Sequence, residues 1–323
     1  MEFKNIDYDY ILDAVELANY NYQIEVQKVP SLYNKTYKEE LYKNLYQLFK
    51  YNNGVMAIDD NKLIAYLAFG NIHKTHDARI MSVSSPIHGY GIGIKNLGKL
   101  SSMLFQCASE KLCKNNVGQY QVTLYAHDIE VISSYALNQF GILCTDTIRD
   151  CNKPIIDNII TNDNIQYKEL TTFEIKNYEI QLLCLYRKLV KHLQMSPIYY
   201  PGREFSDKLY LDYIRSNDIH MFVAIHKDNI IGMIDASNDS NNFISNEIDT
   251  FNLGSLYLDQ EYRGKNIAKE LLSFTNDTLK KIGAKRLWVE HGTANPTARG
   301  FWDTYFDNFT YTLTREIDSS MLG

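Results

Sequence analysis

The sequence lacks the long apolar stretches of membrane-spanning proteins and the paired cysteines of disulfide-stabilised proteins. Its apolar runs, such as 63–69, are too short to span a bilayer, and no charged segment followed by an apolar one opens the chain. The five cysteines are odd in number, and no C-x-x-C pair occurs. These absences predict a cytoplasmic protein without a membrane partner, a disulfide scaffold or a cysteine-based zinc site.

The sequence also lacks an excess of positive charge. Its 33 basic and 39 acidic side chains give a formal net charge of -6, which argues against a nucleic-acid partner. His73-x-x-His76 has no third ligand close in sequence, so no metal site is predicted, and no Walker loop, G-x-S-x-G or H-E-x-x-H motif occurs. What is present is ordinary: 323 residues, 45% of them apolar, enough to bury the cores of about two domains.

A weak internal repeat organises the chain. Residues 56–65 and 223–232 both show an apolar strand, a polar turn and a second apolar strand, the pattern of a β-hairpin. In each half a strand, a loop, a long amphipathic helix, a strand and a short helix follow: 80–83, 84–95, 96–115, 120–125 and 130–140, then 254–258, 259–265, 266–282, 286–290 and 296–306. The repeat predicts two α/β domains, 1–155 and 156–323, which meet in the Asn- and Asp-rich stretch 151–164.

The most informative segment is the junction of a strand and a helix in the second half. Arg263, Gly264, Lys265 and Asn266 occupy the predicted helix N-terminus. The first amides of a helix have no internal partners and form the positive end of its dipole, so a phosphate can accept hydrogen bonds from them. Gly264 allows close approach of the backbone, and two basic side chains add charge. The segment therefore predicts a pyrophosphate-bearing ligand, and the alternative is an ordinary helix start with a solvated basic turn.

Two spaced motifs carry a family resemblance. Residues 263–268 read R-G-K-N-I-A and resemble the acyl-CoA-binding pattern Arg/Gln-x-x-Gly-x-Gly/Ala, with Asn266 in place of glycine. Further on, Asn295, Ala298, Phe301 and Trp302 match the pattern Asn-x-x-Ala-x-x-aromatic-Tyr, with tryptophan in place of tyrosine. Both patterns are typical of the GCN5-related N-acetyltransferase (GNAT) superfamily, which the chain resembles over the hairpin 222–236 and from about 249 onward.

The resemblance implies a fold and a donor site. The fold would be α/β with mixed sheets: two GNAT-like domains, each a central, mostly antiparallel twisted sheet flanked by helices. The loop 84–95 lacks the acyl-CoA motif, so the first domain is expected to be degenerate. Acetyl-CoA would be the co-substrate, without a metal. The residues implied in its binding are Leu256, Tyr257, Leu258, Arg263, Gly264, Lys265, Asn266, Ile267, Ala268, Asn295 and Trp302.

The resemblance also implies a reaction, the direct attack of an amine on the thioester. Glu290 at the end of a strand is the first candidate for the general base, with Glu247 and Asp249 as alternatives. Tyr305 is the candidate acid, although it also fits a packing role. Tyr199 and Tyr200, in an aromatic loop, are candidate contacts for the acceptor.

Three hypotheses follow from these residues. The first is an N-acetyltransferase with one working site, in the second domain. The second is a non-catalytic acyl-CoA-binding or regulatory protein, which Asn266 and Trp302 favour. The third is a structural protein in which both halves have lost their ligands. The sequence leaves the acceptor open among small amines, amino acids, antibiotics and peptide N-termini, and it does not indicate the oligomeric state.

Overall fold

The computed structural model describes residues 1–74, 80–93, 97–155, 164–201 and 205–322, which form two compact units. The first unit consists of Met1–Asp146 and Asn308–Gly323, and the second consists of Thr147–Asp307. Both units combine helices with strands, and parallel and antiparallel strand pairs occur in each. The predicted mixed α/β fold class is therefore confirmed.

The first unit begins with a short strand and two helices, and most of its strands follow them. In chain order its elements are β1 (Glu2–Asn5), α1 (Ile11–Lys28), α2 (Lys38–Phe49), β2 (Asn53–Asp59), β3 (Lys62–Phe69), β4 (His73–Lys74), β5 (Met81–Ser85), β6 (Tyr90–Ile92), α3 (Leu97–Cys113), β7 (Val117–Tyr125), α4 (Ile129–Leu137) and the first part of β8 (Gly141–Asp150). One sheet has the order β1-β2-β3-β6. In the other, β4, β5 and β7 follow one another, and β5 runs parallel to β7.

The second unit begins with the last residues of β8 and then repeats this order of elements, without a counterpart of β4. It contains β9 (Gln166–Leu170), α5 (Thr172–Gln194), α6 (Asp207–Ile214), β10 (His220–His226), β11 (Asn229–Ser237), β12 (Thr250–Leu253), β13 (Tyr257–Leu258), α7 (Ile267–Lys281), β14 (Arg286–Gly292) and α8 (Pro296–Tyr305). The strands are ordered β9-β10-β11-β12-β14, and β13 pairs with β11. Apolar side chains of α7 and α8, among them Leu271 and Trp302, pack on this sheet.

The two predicted hairpins are both present, and they share the same irregularity. Asp60 and Asn61 form the first turn and Lys227 and Asp228 the second, all four with positive φ, as a two-residue hairpin turn requires. In both hairpins one residue of the second strand is unpaired, which makes a β-bulge. Because turn type and bulge coincide, the hairpins confirm the internal repeat predicted from the sequence.

The bulges also align the strands that follow. The unpaired residues are Ile64 and Ile231, and their carbonyls accept hydrogen bonds from Gly93 at 2.9 Å and from Asp259 at 2.8 Å. Ile92 in β6 therefore corresponds to Leu258 in β13. This correspondence allows the two units to be compared residue by residue.

The last strand was not predicted, and it changes the limits of the units. Strand β15 (Asp307–Glu316) pairs antiparallel with β7 over seven residues, and its Leu313 lies in the core of the first unit. The first unit therefore includes residues after 307, in contrast to the predicted domains 1–155 and 156–323. Phe309, Tyr311 and Leu313 alternate with threonines, and this period of two is the signal for a strand.

Other predicted elements keep their type with shifted ends. Of the strand predicted at 254–258, only Tyr257 and Leu258 form a strand, and β12 ends at Leu253, before the predicted start. Strands β1, β4, β6, β8, β9 and β12 were not predicted, and β6 (Tyr90–Ile92) lies within the predicted loop 84–95. His76, part of the loop 84–95 and most of the predicted boundary 151–164 lie outside the described residues.

Within the described ranges, no helix is long and apolar enough to cross a membrane. The same residues contain no group of three or more histidine, cysteine or acidic side chains arranged to hold a metal ion.

Candidate functional site

Two neighbouring strands of the second unit separate at one end. Strands β12 and β14 are paired in parallel from Thr250 with Arg286 to Asn252 with Trp288. Beyond Asn252 the chain continues into β13, which pairs with β11 alone among the described strands. Strand β14 extends further, to Gly292. One edge of β13 thus has no partner among the strands that the structure describes, and an opening lies between β13 and β14.

The open edge of β13 offers backbone groups. Asp259 donates to the β11 residue Ile231, and the backbone groups of alternate residues in a strand point to opposite edges. Those of Leu258 therefore point away from β11, toward the opening. The Leu258 carbonyl accepts a hydrogen bond from Nε of Arg263 at 3.1 Å. This contact draws the guanidinium of Arg263 toward the opening, where it also lies 5.3 Å from the ring centre of Tyr257.

The loop after β13 turns directly into α7. Gly264 has φ +75°, and a Cβ added to it would meet nothing within 4 Å, so the space above this residue is open. Asn266 is the N-cap residue and has the left-handed φ of 63°, a conformation that asparagine tolerates better than most residues. The loop thereby makes its turn without the glycine that the family pattern has at this position.

The start of α7 presents free amide donors. The first hydrogen bond of the helix runs from the amide of Glu270 to the carbonyl of Asn266 at 3.0 Å. The amides of Ile267, Ala268 and Lys269 precede it, so they have no partner within the helix. Residues 263–266 are exposed, and Arg263 and Lys265 bring positive charge to the same turn. Open space, unpaired amides and positive charge fit the diphosphate of an acyl-CoA.

Helix α8 begins beside the end of β14. Asn295 caps it, since its side chain accepts a hydrogen bond from the amide of Ala298 at 3.2 Å and Pro296 follows at the first helical position. Asn295 is buried, as is Trp302, whose ring packs at 5.2 Å from that of Phe306. The indole of Trp302 therefore belongs to the core between α7, α8 and the sheet.

The candidate acid and bases occupy different surroundings. Glu290 is exposed on β14, two residues beyond the last pair with β12 and so on the side of the opening. Asp249 precedes β12 at the opposite end of that strand pair, where its carboxylate forms an ion pair with Lys285 at 2.7 Å. Glu247 lies in the same loop. Tyr305 is partly buried against Phe301, and burial raises the pKa of its hydroxyl, so the proton is held at neutral pH.

The two candidate acceptor contacts lie between α5 and α6. Tyr199 has φ 53° and a side chain that is 70% exposed. Tyr200 is anchored by its amide, which donates to the Leu193 carbonyl at 2.9 Å, and its ring lies 5.5 Å from that of Phe205. Tyr199 is therefore the more accessible of the two rings.

In the first unit, the strand edge that corresponds to the open edge of β13 is occupied by a side chain of the same unit. Ile92 corresponds to Leu258, but both of its outward backbone groups are bonded to the buried side chain of Asn21 in α1. The Ile92 amide donates to Oδ1 of Asn21, and Nδ2 of Asn21 donates to the Ile92 carbonyl, both at 2.9 Å. One side-chain amide thus takes the place that a ligand amide would occupy. Nothing local in the sequence marked Asn21, which lies 71 residues from its partner.

Asp128 is the N-cap residue of α4, and Asn295 is its counterpart at the start of α8 in the second unit. The carboxyl group of Asp128 makes the stability of the protein depend on pH. Burial raises the pKa of Asp128 to about 6, and the charge of Glu130 adds to this increase. Between pH 4 and 6 the folded state binds a proton that the unfolded state has released, so stability falls as the pH rises through this window. We expect Asp128→Asn to raise the free energy of unfolding by about 1–2 kcal/mol at pH 7.5 and by under about 0.5 kcal/mol at pH 4. Urea unfolding at the two pH values checks this, and an equal effect at both would contradict it.

Comparison with known proteins points to one family. The sequence model described as acetyltransferase (GNAT) family matches residues 187–306, which contain both the opening and the loop before α7. Among curated proteins, no sequence matches the chain.

Two solved structures show the same fold at low sequence identity, and a third matches more weakly. A GCN5-related N-acetyltransferase from Sphaerobacter thermophilus is 13% identical, with a TM-score of 0.60, 98% of this chain covered and 95% of that one. A GCN5-related glucosamine N-acetyltransferase region of a fungal multi-domain β-N-acetylglucosaminidase is 14% identical, with a TM-score of 0.53. There the match covers 97% of this chain and only 38% of the fungal protein. A tandem GNAT protein from the clavulanic acid biosynthesis pathway is 12% identical, with a TM-score of 0.48 and 98% of both chains covered.

Proposed function

Because residues 187–306 match the sequence model of the acetyltransferase (GNAT) family, we propose that the chain is an N-acetyltransferase. It would transfer an acetyl group from acetyl-CoA to an amine at a single donor site in the second unit. The observation that carries the proposal is the juxtaposition of two features: an edge of β13 that no second described strand covers, and a helix start whose first amides have no partner within the helix. The open strand edge supports binding of the amide groups in the pantetheine arm of CoA, and the helix start supports binding of its diphosphate.

The donor would be held by backbone groups more than by side chains. Backbone amides between Arg263 and Ala268 would donate hydrogen bonds to the diphosphate, and the outward backbone groups of Leu256 and Leu258 would bind the pantetheine arm of CoA. Bound acetyl-CoA supplies an acyl group that is already activated as a thioester. The protein then contributes orientation of the two reactants and donors for the negative charge that develops on the carbonyl oxygen.

Two side chains would manage the protons. The attacking amine must be neutral, so Glu290 at the opening would take its proton, directly or through a water molecule. The carbon–nitrogen bond forms as the carbon–sulfur bond breaks, and the departing thiolate takes a proton. Tyr305 is the proposed source, because its hydroxyl keeps its proton at neutral pH.

The acceptor would be a small-molecule or peptide amine. Tyr199 and Tyr200 are proposed to contact it. The predicted cytoplasmic location and the absence of nucleic-acid and membrane partners stay predictions.

A non-catalytic acyl-CoA-binding protein is the second candidate, and Trp302 favours it. The indole stands where the family pattern has tyrosine and is only 4% exposed. An indole N–H is not an acid at physiological pH. In this case the donor would bind, and no thiol would be released.

The decisive experiment combines calorimetry with a thiol-release assay. We expect CoA to bind one site per chain, and we expect thiol release from acetyl-CoA with at least one of a polyamine, an amino sugar, an amino acid and a peptide. Glu290→Gln and Tyr305→Phe should each lower kcat by about 10² with CoA affinity changed less than about threefold. Failure to bind CoA would refute the proposed donor site. Binding without thiol release for any amine would favour the non-catalytic candidate.

A further inference from the structure

Asp235, near the end of β11, is a buried carboxylate that contacts two other elements. It is 1% exposed. Tyr213 of α6 donates its hydroxyl proton to Oδ1 at 2.8 Å, and the amide of Ser255 donates to Oδ2 at 2.8 Å. The two carboxylate oxygens are thus used in different directions, one toward a helix and one toward the segment between β12 and β13.

The backbone of that segment lies directly against Asp235. The amide of Gly254 donates to the Asp235 carbonyl at 2.9 Å, and a Cβ on Gly254 would lie 2.0 Å from Oδ1. No side chain is compatible with this approach. Gly254 and Ser255 therefore direct consecutive amides to one residue, which bends the chain at this point.

The bend corresponds to one extra residue in the strand. Leu253 pairs with Ala236 and Tyr257 pairs with Met233, so four steps along β12 and β13 oppose three steps along β11. This is a β-bulge, and bulges redirect the residues that follow them. Here the following residues are those of β13, whose outward edge faces the opening.

The first unit has no equivalent carboxylate. The aligned hairpins make Ala68 the counterpart of Asp235, because Ala65 and Gly232 hold the same place beside their bulges. That unit also has its β6 edge filled by Asn21. Of these two aligned positions, the one that carries a carboxylate is in the unit with the open edge.

We propose that Asp235, held by Tyr213, is a positioning residue for the donor: it fixes the bulge at 254–255 and thereby aims the backbone groups of Leu256 and Leu258 into the opening. The proposal rests on the proposed function, because the edge matters only if a donor binds along it. Tyr213 also links this edge to α6, the helix that follows the segment containing Tyr199 and Tyr200.

The test separates positioning from folding and from binding. We expect Asp235→Asn to lower kcat for thiol release by about 30-fold and Tyr213→Phe to lower it by about 5-fold, with the Kd for CoA changed less than threefold. The diphosphate contacts at 263–268 do not involve Asp235, so misdirected contacts of Leu256 and Leu258 with the arm should lower kcat by a larger factor than they lower CoA affinity. A general folding defect would instead weaken CoA binding and catalysis together.

Tyr210→Phe is the matched control. Tyr210 lies on the same helix and is buried, but its hydroxyl contacts the sulfur of Met233 at 3.3 Å instead of Asp235. We expect its kcat to stay within twofold of the unsubstituted protein. The double variant Asp235→Asn/Tyr213→Phe should lose no more than Asp235→Asn alone, because Tyr213 acts through Asp235.

The outcomes distinguish a failure of the proposed acetyltransferase function from a failure of the positioning role of Asp235. If the unsubstituted protein binds no CoA or releases no thiol, the proposed function fails. If it turns over and Tyr213→Phe or Asp235→Asn keeps its full kcat, the positioning role alone is overturned. Equal losses of kcat and CoA affinity in Tyr213→Phe would also overturn it, and that mild variant tests the idea even if Asp235→Asn does not fold.

Discussion

Replacing Lys269 with glutamate is expected to weaken CoA binding by about 100-fold while slightly stabilising the protein. Lys269 lies in the first turn of α7, beside the free amides proposed to hold the diphosphate. The substitution changes the local charge by two units within a few ångströms of a ligand with several negative charges. A carboxylate at a helix N-terminus, in contrast, stabilises the helix by about 0.3–1 kcal/mol. Opposite signs for binding and stability are the specific expectation, measured by calorimetry and thermal unfolding.

Lys280→Glu provides the control for this prediction. It makes the same change of charge in the last turn of the same helix, about 16 Å along the axis from Lys269. At 0.15 M salt this exceeds the Debye length of about 8 Å, so CoA affinity should change less than about twofold. The helix end should become less stable, because the dipole there favours positive charge. Equal effects of the two variants on CoA binding would place the diphosphate away from the N-terminus of α7.

Arg149→Ala is expected to destabilise the second unit by about 4 kcal/mol. Arg149 is 1% exposed, and its guanidinium donates to the carbonyls of Tyr305 and Lys153 while lying over the ring of Phe306. Burial lowers the pKa of the guanidinium, as expected for a charge removed from water. Alanine would leave a cavity and two carbonyls without this donor, at the C-terminal end of the helix that Asn295 caps.

Arg149→Met separates the contribution of packing from that of the hydrogen bonds. Methionine fills much of the same volume and removes the cost of burying a charge, so its destabilisation should be about half that of alanine. Urea unfolding of both variants provides the measurement. If methionine is as destabilising as alanine, the two hydrogen bonds dominate, and the packing argument is wrong.

Local patterns predicted the parts of the fold that depend on near neighbours. The hairpins at 56–65 and 223–232, the start of α7 and the cap of α8 at Asn295 all rest on residues within a few positions of one another. Turn chemistry and capping are short-range effects, so the sequence alone carries their signals. The left-handed Asn266 belongs to the same group, because the preference of asparagine for that conformation is local.

Contacts between distant residues could not be predicted from one sequence. The bond between Asn21 and Ile92, the bulge at Asp235 and the pairing of β15 with β7 each join residues far apart in the chain. Trp302 illustrates the same limit: its position in a motif suggested a place beside the donor, and only packing shows its ring in the core.

By itself the sequence determined the two hairpins, the repeat and the basic turn at 263–266, because hydrophobic period, turn residues and helix capping act over short distances. Only the tertiary structure decided which of the two similar units keeps an open strand edge. That choice depends on a side chain from a distant part of the chain. In the first unit Asn21 bonds the outward amide and carbonyl of Ile92, whereas in the second unit the outward backbone groups of Leu258 face the opening.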